Sequence, residues 1–88
     1  PSPVQESFAM VIAPNPALQA LYLTLTLPEG VTASVSLYDL QGRKVAQIAS
    51  GAVDGRLEWA IPATLPSGNY LVEALSAGKR QVGRVVIL

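Results

Sequence analysis

SLYDLQGRKVAQI, residues 36–48, reads as a strand, a turn and a second strand. Val35, Leu37 and their polar neighbours alternate up to Tyr38. Asp39, Leu40, Gln41 and Gly42 then fit a type I turn, with Asp favoured at its first position and Gly at its fourth. A type I turn followed by a left-handed glycine closes a common hairpin through a bulge, so Gly42 has a backbone role. The stretch has no cysteine, no histidine and no paired acids, so the fold is easier to read than any chemistry.

The same period of two recurs to either side. LYLTLTL (21–27) places Leu21, Leu23, Leu25 and Leu27 on one face and Tyr22, Thr24 and Thr26 on the other. VTASVSL (31–37) sets Val31, Ala33, Val35 and Leu37 against Thr32, Ser34 and Ser36. RLEWAI (56–61) aligns Leu57, Trp59 and Ile61, and NYLVEAL (69–75) aligns Tyr70, Val72 and Ala74 opposite Leu71, Glu73 and Leu75. Turn signals fall between them at APNP, PEG, DLQG, VDG, PATLPSG and SAGK, and no long segment of helical period intervenes. Strands are predicted near 8–13, 20–27, 31–38, 43–49, 56–61, 69–76 and 81–88. The fold class is all-β, an Ig-like antiparallel β-sandwich of about seven strands. PSPVQES at residues 1–7 reads as linker, and residues 8–88 as one domain.

The composition bounds the function. An 88-residue chain with half its residues apolar can bury one core and not two. With no Cys and no His, disulfides and the usual zinc ligands are excluded. Six basic and six acidic residues give zero net charge, which makes nucleic acid a poor partner. Apolar runs such as AMVIA and VVIL are far shorter than the ~20 residues of a spanning helix, so a soluble module is expected. Pro1 at the front and Met10 as the sole methionine suggest a piece of a larger protein, with any export signal upstream.

Enzyme readings fail in turn. No histidine can serve as general base, and Ser50-Gly51 and Ser67-Gly68 read as turns without a partner base. Glu58 and Glu73 could act as a carboxylate pair only from neighbouring strands in register, and exposed strand positions explain them better. The glycines form no phosphate-binding pattern, and VDG lacks the alternating acids of a calcium loop. No cofactor and no small-molecule substrate are expected. Trp59 shares a face with core-type Leu57 and Ile61. Tyr22 and Tyr38 lie on the Ser/Thr faces, where a ring flattened on the sheet and a ligand platform both fit.

The last hairpin is basic through Lys79, Arg80 and Arg84, and the chain closes on RVVIL. Charges that guard an edge strand account for the first feature. The second implies either a strand clamped into the sheet as far as Leu88 or a receiver outside the module.

Four blocks in order, PNPA (14–17), SLYDLQGRKV (36–45), LPSGNYLVEA (65–74) and GKRQVGRVVIL (78–88), resemble the C-terminal sorting domains of the type IX (Por) secretion system of certain Gram-negative bacteria. Single blocks also occur in other Ig-like modules; their order and the short distance from GNY to an apolar end carry the likeness. Arg84 stands where the family often has Lys, which keeps the charge. The resemblance implies a passenger and not a catalyst: a folded label on cargo in the periplasm, read by the outer-membrane machinery. A sortase-like peptidase then removes it near its N-terminal linker, in or before PSPVQES, with the cargo bound for the cell surface. Structural motif positions are Pro14, Asn15, Pro16, Asp39, Gly42, Arg43, Gly68 and Tyr70. Recognition is expected at Lys79, Arg80, Arg84, Val85, Val86, Ile87 and Leu88, by strand addition along the terminal strand. Asp at Val85 and Ile87 is accordingly expected to leave cargo in the periplasm. The alternative is a non-catalytic Ig- or fibronectin-like binding or spacer module with a carbohydrate or protein ligand. An unpaired edge can also pair with its own copy.

Overall fold

The computed structural model describes residues 8–13 and 19–88, and everything below concerns these. The linker reading of residues 1–7 and the motif positions Pro14, Asn15 and Pro16 lie outside them. Seven strands are present: β1 (Ala9–Ala13), β2 (Ala20–Thr26), β3 (Ala33–Asp39), β4 (Lys44–Ala52), β5 (Gly55–Ala60), β6 (Gly68–Ser76) and β7 (Lys79–Ile87). They form two antiparallel sheets, β1-β2-β5 and β4-β3-β6-β7, stacked as a sandwich.

Alternation places the core between the sheets. Leu21, Leu23, Leu25 and Leu27 face Ala33, Val35 and Leu37 of β3, Tyr70, Val72 and Ala74 of β6, and Val85 and Ile87 of β7. Each fully buried Leu, Val or Ile contributes about 1.5–3 kcal/mol relative to exposure, and a slip of one residue would turn the whole set to water. Leu57, Trp59 and Ile61 are half-buried against this core, as their shared face implied.

The turn at 39–42 matches its reading. Gly42 N–H donates to the Asp39 carbonyl at 3.1 Å, Asp39 N–H to the Arg43 carbonyl at 2.9 Å, and Gly42 has φ 86°. Three strand ends differ from expectation by two residues or more, one of them the start of β7, which lies at Lys79 and not near 81. Val31 and Thr32 precede β3, and β4 runs on to Ala52, so Ser50 and Gly51 belong to a strand and not to a turn. The cause is irregular pairing: the β3–β4 register shifts three times, which breaks the alternation of KVAQIASGA and hides it from a period-two reading.

The sheets leave four edges, β1 and β5 on one and β4 and β7 on the other. Gln47 braces the bulged β4 edge: its Nε2 donates to the carbonyls of Ala49 (2.8 Å) and Val35 (3.3 Å) and to Ser34 Oγ (3.1 Å). Its Oε1 accepts from Lys44 Nζ and Ser36 Oγ. The early part of β7 is covered by β1. Gln81 Nε2 donates to the Phe8 carbonyl at 3.0 Å, and the Ile12 side chain rests on Gly83.

Candidate recognition surface

β6 and β7 join through Ala77 (φ 48°) and Gly78 (φ 78°), two left-handed residues whose twist suits a tight hairpin. Nine register pairs follow, from Ser76↔Lys79 to Gly68↔Ile87, so the strand is held in the sheet along its length. Alternation divides the expected recognition residues. Val85 and Ile87 point into the core with 0% and 2% exposure, while Lys79, Arg80, Arg84 and Leu88 are exposed and Val86 is half-buried. Asp at Val85 or Ile87 would therefore unfold the domain before it tested recognition, because an isolated carboxylate cannot stay ionised in an apolar core.

The outer face of the four-stranded sheet carries Arg80, Val82, Arg84 and Val86 beside Leu71, Glu73 and Leu75. Arg80 Nη1 lies 3.3 Å from Glu73 Oε2. Burial against this face, followed by the Glu73 carboxylate and its hydrogen bond, pushes the Tyr38 hydroxyl above its ordinary value of 10.0. Zero net charge thus conceals a polarity. Five of the six basic residues, Arg43, Lys44, Lys79, Arg80 and Arg84, lie on this sheet or its turns, whereas Glu29, Asp54 and Glu58 lie on the other sheet or on the loops between the two.

A second feature forms at one end of the sandwich, where the DLQGR turn meets the LPSGNY segment. An open groove of about 420 Å³ is lined there by Leu40, Arg43, Val45, Leu65 and Tyr70 among others. The Tyr70 hydroxyl donates to the Pro66 carbonyl at 2.6 Å, pinning the loop before β6, and Gly68 opens the strand at φ 153°. Asp39 organises the turn: its Oδ1 accepts from the Gln41 and Arg43 N–H groups at 2.9 Å each and its Oδ2 from Arg43 Nε at 3.0 Å. The Arg43 N–H leads these contacts in holding the Asp39 carboxyl below its ordinary 3.8. Asp39, Gly42, Arg43 and Tyr70 are thus drawn to one end, and each has a structural role there.

Other readings resolve by position. Glu58 and Glu73 belong to different sheets, so they cannot flank one bond. Asp54 Oδ1 accepts from Leu27 N–H at 2.8 Å and fastens the β4–β5 connection to the end of β2. Arg56 lies 4.8 Å over the Tyr22 ring, so one face of that ring is already covered. The sequence reading missed Gln47, Gly83 and the β5 edge; a glycine inside a strand was the one available signal.

No curated protein matches this chain. A family profile, described as a secretion system C-terminal sorting domain, matches residues 11–88. That span takes in both features above, β2 to β7 and β1 from Val11 onward, and it agrees with the four blocks of sequence. By this match the chain belongs to the secretion system C-terminal sorting domain family, the sorting domains of type IX secretion, and is a non-catalytic module.

Proposed function

We propose that this domain directs an attached cargo through the type IX machinery across the outer membrane, and that a sortase-like peptidase then removes it at the segment before β1. The family match over residues 11–88 carries this reading. The Ig-like sandwich is the scaffold. In transit the domain sits in the periplasm, folded, and offers shape and main chain to the machinery in place of reactive groups. Lys79, Arg80, Arg84, Val86 and Leu88 are the contacts offered by the last hairpin, with Val85 and Ile87 anchoring it from beneath. Strand addition would use the main chain of β7 beyond the part that β1 covers.

The test fuses residues 1–88 behind an exported reporter in a bacterium that has the machinery. The expected result is reporter at the cell surface without the module. Joint Arg80→Glu and Arg84→Glu substitution, which leaves the core intact, should retain reporter in the periplasm. Equal surface delivery with an unrelated stable domain in place of residues 1–88 would overturn the proposal.

A further inference from the structure

Of the four edges, β5 is the one that neither irregularity nor a covering strand protects. It pairs with β2 in unbroken register from Ala20↔Ala60 to Leu25↔Gly55, and no strand among the described residues lies along its other side. β4 leads into it through Val53 and Asp54 but belongs to the opposite sheet. By contrast β4 is bulged and braced by Gln47, β7 is partly covered by β1, and β1 has only five residues. A regular, open edge is a template for another strand.

We propose that this edge receives β5 of a second copy of the chain, antiparallel and centred on Leu57. The residues select that partner and that register. On the outer face Tyr22 holds both charges in place: its hydroxyl donates to Glu58 Oε2 at 3.3 Å, and Arg56 lies over its ring. A two-fold axis at Leu57 sets Arg56 against Glu58 of the second copy and Glu58 against its Arg56. On the inner face it sets Trp59 against Gly55, the largest side chain against none. Leu57 meets its own copy between them.

Neighbouring registers are disfavoured for a physical reason. Side chains opposite one another in an antiparallel pair must share a face, so a symmetric register can move only by whole residues of the centre. Centring on Arg56 opposes two arginines, and centring on Glu58 opposes two glutamates; like charges directly opposite are destabilising. Pairing at Leu57 yields one continuous sheet of six strands, three from each copy, with an isologous interface.

Sedimentation velocity on the whole 88-residue chain over a range of concentrations tests this. The parent should pass from monomer to dimer. Arg56→Glu alone, or Glu58→Arg alone, should weaken association by about tenfold or more, and the combined Arg56→Glu/Glu58→Arg chain should regain it. Both side chains are exposed, so circular dichroism should show the fold retained. The chain contains no cysteine, so Leu57→Cys supplies a second reading: it should oxidise to a covalent dimer faster than Val45→Cys on β4. A monomer at every concentration, single variants as tight as the parent, a double variant that fails to recover, or equal cross-linking at both positions would overturn the assignment.

Discussion

Ile12 of β1 occupies the space that Gly83 of β7 leaves by having no side chain: a β-carbon at position 83 would fall 2.6 Å from Ile12 Cδ1 and 3.6 Å from Met10 Cε. Through this contact the first strand of one sheet lies against the last strand of the other. The clash falls on the tip of a flexible side chain, so size decides the outcome. Gly83→Ala should shift stability little, because Ile12 can rotate. Gly83→Val should cost about 1–3 kcal/mol in urea unfolding. Ile12→Ala should then cost less in the Gly83→Val background than in the parent, and additive costs would count against the contact.

Gly42 sits at φ 86° in open space, so a substitution there is strained by backbone and not by crowding. Gly42→Val should destabilise the chain by about 1–2 kcal/mol, and Gly42→Asn by less, since Asn tolerates the left-handed region. Equal losses for the two variants would place the cost elsewhere.

Tyr70 is buried and its hydroxyl serves the Pro66 carbonyl. Tyr70→Phe should keep the packing and lose about 0.5–1.5 kcal/mol, whereas Tyr70→Ala should lose about 3–5 kcal/mol through the cavity. Thermal denaturation of the three chains distinguishes the hydroxyl from the ring. Amide exchange in the 62–67 loop should quicken in Tyr70→Phe.

The Asp39 carboxyl is held below its ordinary value of 3.8, so the folded state favours its ionised form. That contribution is complete above the unfolded value and is lost as pH falls through the lowered folded value. Urea midpoints should therefore decline as the chain is acidified below about pH 4, partly because of this group. In Asp39→Asn the acid limb should be shallower and the chain less stable at neutral pH. An unchanged acid limb would show that the turn does not depend on the charge.

Wherever a strand is flat and one-sided, residue order alone located both the strand and its buried face. Leu21, Leu23 and Leu25, Val35 and Leu37, and Tyr70, Val72 and Ala74 all point where their alternation said. The 39–42 turn was equally legible, since Asp and Gly meet local backbone requirements that no distant residue alters. β4 was legible only in its first half. Its bulges belong to its pairing with β3, and pairing is not written in the spacing of KVAQIASGA.

Local order thus determined most of the strands, the hairpin turn and the buried faces of β2, β3 and β6. Tertiary structure alone decided that Glu58 and Glu73 lie in separate sheets, that Val85 and Ile87 are interior while Arg80 and Arg84 are not neighbours of the core, and that β5 keeps an open edge. The physical reason is range. Alternation and turn preference act over a few adjacent residues, whereas sheet order and edge exposure arise from hydrogen bonds between segments far apart in the chain.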